Sequence, residues 1–139
     1  MYTKSKAIVL NSIRYQEKSL IVKCFTENDG LITFFVKNAF SKTKTQNISY
    51  FQPLTILDIQ YKEKRTSSLN YFSNVQLEHP YISIATDYDK SIVIMFLSEL
   101  ISQIIKDEQP NQNLFWFIEN SLVWYDTSEF NSDFHLYFL

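Results

Sequence analysis

The sequence predicts two parts of different class: a five-stranded β-barrel over residues 1–80, then the beginning of an α-helical domain over residues 81–139. Three observations carry this. Five short runs rich in Ile, Val, Phe and Leu crowd into the first eighty residues, separated by polar connections. At Pro80 the apolar period changes from two to between three and four. The charge divides at the same place. Residues 1–80 carry 9 Lys and 2 Arg against 2 Asp and 4 Glu, a net +5, whereas residues 81–139 carry 2 Lys against 5 Asp and 4 Glu, a net −7. Such a split suggests a basic module for a polyanion beside an acidic one that keeps off it, with drift in surface composition as the alternative.

Ala7 to Ile13 is the first strand-like run, and Arg14-Tyr15-Gln16-Glu17-Lys18 is a polar connection of hairpin size. Leu20 to Phe25 follows. Glu27-Asn28-Asp29-Gly30 then holds the one glycine, and Asp-Gly between apolar runs signals a hairpin because Gly accepts positive φ. The third run is Leu31 to Val36. The fourth is Leu54 to Tyr61, reached through Pro53, and residues 62–68 form a charged turn. Leu69, Tyr71, Ser73, Val75 and Leu77 alternate with Asn70, Phe72, Asn74, Gln76 and Glu78, a mostly period-two pattern that predicts a fifth strand with the first set on the buried face.

Beyond Pro80 a helix is predicted from Thr86 to Glu108, with Thr86 and Asp89 as a capping pair. Val93, Phe96, Leu97, Leu100, Ile101, Ile104 and Ile105 recur at helical spacing. Ile92, Ile94 and Met95 fill the other sides, so its first half is expected to be buried nearly all round. Lys106 and Pro110 fit its end. A second helix is predicted from Asn111 or Asn113 to Asp126, with Leu114, Phe115, Ile118, Leu122 and Tyr125 on one stripe. The apolar run Phe134 to Leu139 predicts that the chain is the amino-terminal part of something longer. A docked terminal element is the alternative.

Composition excludes several function classes. One glycine in 139 residues cannot build a Walker loop or a dinucleotide fingerprint. One cysteine and two histidines cannot make the usual structural zinc site, and a lone Cys24 forms no internal disulfide. The longest apolar run, Ile92 to Leu97, is far short of a membrane span of about 20 residues. A soluble, cytoplasmic protein is expected. Cys24 reads as a buried strand residue, His79 as a linker residue and His135 as a packed one. Asp87 and Asp89 read as first-turn acids facing a helix dipole. No enzyme signature stands out, so no catalytic residue is assigned.

Residues 37–50 are the richest in binding chemistry. They hold Lys37, Lys42 and Lys44, many hydroxyl and amide donors, Phe40 and Tyr50, and no acid. Lysines neutralise phosphates with release of counterions, and Phe40 and Tyr50 are candidates for base stacking. A solvated loop with both aromatics turned inward is the competing reading. Lys62, Lys64 and Arg65, moderated by Glu63, form a second basic cluster, and Arg14 with Lys18, beside Glu17, a third. All three lie in connections between strands, where small barrels present their ligand-binding loops.

Several of these segments, in this order, resemble the amino-terminal part of the RecO family of bacterial recombination mediators. Lys6-Ala7-Ile8-Val9-Leu10 is similar to that family's opening strand, and Tyr15 to Val22 continues the likeness. Phe25-Thr26-Glu27-Asn28-Asp29-Gly30 resembles its F-T-x-x-x-G turn. Val36-Lys37-Asn38-Ala39-Phe40-Ser41-Lys42 resembles its basic stretch, with Asn38 in place of a glycine and fewer arginines. Phe51-Gln52-Pro53-Leu54 resembles the lead-in to its fourth strand. The likeness covers the whole chain and is nearest to Bacteroidetes-type members.

The resemblance implies an OB-fold barrel followed by a helical domain. It implies binding of single- and double-stranded DNA, strand annealing and help in loading the RecA recombinase. RecR and the single-stranded-DNA-binding protein would be partners, in the bacterial cytoplasm at the nucleoid. The zinc motif that many members carry has no counterpart in this chain, so no cofactor or metal is expected. The function expected is mediation of DNA repair and homologous recombination by binding rather than catalysis. The alternative is an interaction scaffold whose barrel binds only a protein partner. Asp126 and Glu129, in the acidic half, are the natural controls for DNA binding by the basic loops.

Overall fold

A computed structural model of the chain describes residues 2–37, 48–62, 70–105 and 110–127. The elements in order are β1 (Tyr2–Tyr15), β2 (Ser19–Thr26), β3 (Gly30–Val36), a short 3-10 turn (Ile48–Phe51), β4 (Ile56–Lys62), β5 (Phe72–Leu77), α1 (Tyr88–Ile104) and α2 (Gln112–Thr127). A five-stranded antiparallel sheet followed by helices is the class the sequence predicts. The strand order is β3-β2-β1-β4-β5. β1 is long because it serves two ladders. Its first half pairs with β4, from Tyr2 opposite Lys62 to Ile8 opposite Ile56, and its second half pairs with β2 as far as Tyr15 opposite Ser19. A bulge at Leu10 interrupts the second ladder, and an extra residue of this kind bends a strand.

The sheet curls without closing. Along the seam between β3 and β5, one parallel bridge joins Phe34 to Asn70 among the described residues. There the Phe35 N–H donates to the Asn70 carbonyl at 2.9 Å, and the Asn70 N–H to the Thr33 carbonyl at 3.3 Å. Among the described residues the OB-type barrel is therefore open along most of this seam.

Two apolar cores share the sheet. Ala7, Val9, Val22, Cys24, Phe34, Leu57 and Tyr61 face the barrel interior. Ile8, Leu10, Phe25, Leu31, Leu54 and Ile56 face outward into a second core, completed by Ile94, Leu97 and Ile101 of α1 and Phe115, Ile118, Leu122 and Tyr125 of α2. This explains the unbroken run Ala7-Ile8-Val9-Leu10: both faces of β1 are covered there, so alternation has no polar side to mark. The Ser98 hydroxyl donates to the Leu10 carbonyl at 2.6 Å, tying α1 to the bulge. Leu54, at φ 60°, occupies the left-handed region, which costs a non-glycine residue about 1–2 kcal/mol. Its N–H donates to the Val9 carbonyl at 2.7 Å, its carbonyl accepts the Tyr81 hydroxyl, and its side chain is wholly buried.

Three expectations are corrected. The buried face of β5 changes phase. Gln60 opposes Asn74 but Tyr61 opposes Phe72, so Ser73 is bulged. Phe72 therefore packs inward, stacked on Phe34 at 4.0 Å, and Tyr71 is exposed. The first half of α1 is not buried all round. Its covered face is Lys90, Ile94, Leu97, Ser98 and Ile101, while Tyr88, Ile92, Met95, Phe96 and Ile104 are exposed. The N-cap of α1 is Asp87, not Thr86. The Asp87 carboxylate accepts the N–H groups of Asp89 and Lys90, whereas the Thr86 hydroxyl donates to the Ile82 carbonyl. The stripe predicted for α2 is the one observed, with Asn111 capping it through the Leu114 N–H at 3.1 Å.

Candidate nucleic-acid interface

Of the candidate cations, Arg14, Lys18, Lys37 and Lys62 lie within the described residues; Lys62 ends β4 opposite Tyr2, and the sheet brings the other three to one end. Arg14 pairs with Leu20, and Leu20 with Val36. The end of β1, the start of β2 and the end of β3 therefore line up. Lys18 sits in the turn between β1 and β2, and Lys37 directly follows Val36. All three are exposed. Arg14 donates to the Glu17 carbonyl at 3.0 Å across this turn, in which Gln16 takes φ 56°. Lys42, Lys44 and Phe40 fall in residues 38–47, and Lys64 and Arg65 in residues 63–69, all outside the described residues. Tyr50 is half-buried against the inner core.

The sequence reading passed over the aromatic surface beside these cations. Tyr15 and Phe35 meet edge to face at 5.7 Å, and Phe35 and Tyr71 at 6.0 Å. The Lys37 ammonium lies 5.8 Å from the centre of the Tyr71 ring, within cation–π range. Period-two alternation marks Phe35 as outward, since Phe34 and Val36 on either side are buried. Tyr71 could not be placed this way, because the bulge at Ser73 inverts the phase of everything before it.

A second polar cluster lies between the barrel and the helices. The buried Asp126 carboxylate accepts N–H bonds from Ile82, Ser83 and Ile84 at 2.8–3.0 Å and faces the His79 ring at 3.0 Å. Burial opposes its ionisation. The N–H groups of Ile84 and Ile82, the His79 ring and the Ser83 N–H outweigh that and hold its pKa below the ordinary carboxylate range. Lys90, 1 % exposed, donates to the Ser83 hydroxyl at 2.7 Å and the Tyr125 carbonyl at 2.8 Å. This cluster fixes the linker between sheet and helices, and Asp126 is thus no surface acid. Lys6 of β1 donates to Glu119 of α2 at 2.9 Å. Burial lowers the Lys6 pKa, but the hydrogen bond and charge of Glu119 reverse this and raise it overall. Cys24 is fully buried, which pushes its thiol far above the ordinary range.

A groove of about 480 Å³ runs between Gln52, Pro53, His79 and Tyr81 on one side and Ile94 and Met95 of α1 on the other. Its lining holds no lysine or arginine, unlike the strand ends that carry Arg14, Lys18 and Lys37. Among the described residues no helix is long and apolar enough to cross a membrane.

Residues 1–81 match the family model described as Recombination protein O N terminal, and residues 85–139 the one described as Recombination protein O C terminal. The DNA repair protein RecO of Flavobacterium johnsoniae is 46% identical over 140 aligned positions, covering 100% of this chain and 59% of the relative. The RecO proteins of Flavobacterium psychrophilum and Bacteroides fragilis are 46% and 33% identical, at 59% and 58% coverage of their own lengths. The chain thus spans about three fifths of the length of these curated relatives. With both of its halves matched to the family's models and its whole length aligned to these relatives, the chain belongs to the RecO family.

Proposed function

We propose that this chain serves DNA repair and homologous recombination as a mediator, acting by binding rather than catalysis. Residues 1–80 form the DNA-binding unit, and residues 81–139 begin the helical domain. Single- and double-stranded DNA lie across the strand ends and the basic connections, which supports annealing of complementary strands and loading of the RecA recombinase. RecR and the single-stranded-DNA-binding protein are the partners, in the cytoplasm at the nucleoid. The observation that carries this reading is the gathering of Arg14, Lys18 and Lys37 at one end of the sheet by the β1–β2–β3 register. Family membership supports the biological role.

One observation favours the second reading, a protein-binding scaffold: the exposed apolar ridge Tyr88, Ile92, Met95 and Phe96 on α1. Fluorescence anisotropy with a labelled single strand at two salt concentrations separates the two. Binding through phosphates weakens by about 0.7 log units per contact for each tenfold rise in salt. Absence of salt-dependent binding would leave the scaffold.

A further inference from the structure

We infer that Tyr15, Phe35 and Tyr71 form a stacking platform for unpaired nucleobases on the outer face of the sheet, with Arg14, Lys18 and Lys37 holding the phosphates beside it. This rests on the proposed DNA binding and names the state of DNA this face selects: single strands, through their bases.

The placement follows from the pleat. Inward residues of β2 and β3, such as Val22 and Phe34, fill the barrel, so Ile21 and Phe35 point outward, and Ile13 lies opposite Ile21. At the other end of this outer face α1 and α2 cover Phe25 and Leu31. At this end no helix of the described residues arrives. Tyr15 is 45% exposed, Tyr71 52% and Ile13 60%. Inside the barrel Phe34, Phe72 and Phe51 stack nearly parallel, with interplanar angles of 16° and 15°. Outside, the rings meet at 78° and 84°. An edge-to-face contact occupies one face of one ring per pair, so the platform keeps π surface that its own rings do not consume.

Charge selects the occupant. The segments 13–18, 33–37 and 70–72 carry Arg14, Lys18 and Lys37 against the single acid Glu17. A single strand offers alternating phosphates and base faces, which match cations interleaved with rings. A duplex buries its base faces and offers the phosphates alone. Small OB-type barrels also present this face, between the first hairpin and the connection before the last strand, to oligonucleotides.

The test compares a labelled oligothymidylate with an abasic strand of equal length, titrated into the whole chain by anisotropy. Wild type should prefer the base-bearing strand by about tenfold or more. Tyr15→Ala with Tyr71→Ala should abolish the preference while leaving abasic-strand affinity and salt slope unchanged. A preference that survives the double substitution overturns the platform, as does a wild type that binds both strands equally; the latter result would reassign the patch to a protein partner. Wild type that binds neither strand overturns the proposed DNA binding itself. As a second readout, a 2-aminopurine strand should be quenched on binding wild type and much less by Tyr15→Leu with Tyr71→Leu, which keeps apolar area without rings. Equal quenching also overturns the platform.

Discussion

Asp126 is where a single residue matters most. Its carboxylate collects three backbone N–H groups of residues 82–84 and the His79 ring. Without it those donors lose their shared acceptor. Asp126→Asn should lower stability by roughly 2–4 kcal/mol at pH 7, measured by urea denaturation. Because its pKa is depressed in the folded chain, the stability it supplies is complete above the unfolded value of about 4 and is lost as pH falls through the lower folded value. The gap between wild type and Asp126→Asn should therefore narrow below about pH 4. A gap that stays constant down to pH 2 would show that the charge contributes nothing. The same burial disqualifies Asp126 as a control for DNA binding, since its loss perturbs the fold. The exposed acid Glu99 of α1 replaces it.

At the scale of the elements, helix capping and strand phase each make a prediction. Asp87→Ala removes the acceptor for the Asp89 and Lys90 N–H groups and should cost about 1 kcal/mol. Thr86→Ala should stay within about 0.5 kcal/mol, because Thr86 is exposed and outside the cap. The reverse order would restore the Thr86 cap. In β5, Phe72 stacks on Phe34 and Phe51 while Tyr71 faces solvent. Phe72→Ala should cost about 2–4 kcal/mol and Tyr71→Ala less than about 1 kcal/mol. Equal costs would mean the Ser73 bulge is misplaced. The mildness expected of Tyr71→Ala also makes it suitable for testing nucleobase stacking.

Across the whole molecule, the sheet and the helices share one outer core. Thermal unfolding should then be a single transition, with far-UV and near-UV circular dichroism coincident. Two separable transitions would show that the barrel and helices fold independently. The basic connections act at the same scale. Lys42→Ala with Lys44→Ala should weaken single-strand binding equally for all sequences and flatten the salt slope by roughly 1.4. Glu99→Gln should leave that slope alone. An unchanged slope in the lysine pair, with the fold intact, would remove Lys42 and Lys44 from the proposed DNA site.

Local pattern alone determined the strands, the Asp-Gly hairpin and the α2 stripe. In each, the signal lies in neighbouring residues, and Gly30 at φ 71° closes its turn because it lacks a Cβ. The uninterrupted apolar run of β1 could be read as a strand, but not as one covered on both faces, because the covering helices lie about ninety residues away in the chain. The wrong phase for Tyr71 has a similar cause: one bulged residue inverts every side chain before it, and a bulge is set by pairing with β4. The face of α1 was misjudged because its apolar residues surround the helix, and only docking on Leu10 decides which of them are covered. The candidate site divides the same way. Its lysines and arginines are visible as isolated clusters in the sequence. That Arg14, Lys18 and Lys37 meet beside Tyr15, Phe35 and Tyr71 is decided by register between β1, β2 and β3 and by the bridge at Asn70. The two hairpins are local, but their exact register and the long-range bridge from Phe34 to Asn70 are set by hydrogen-bonded pairing, which no local period encodes.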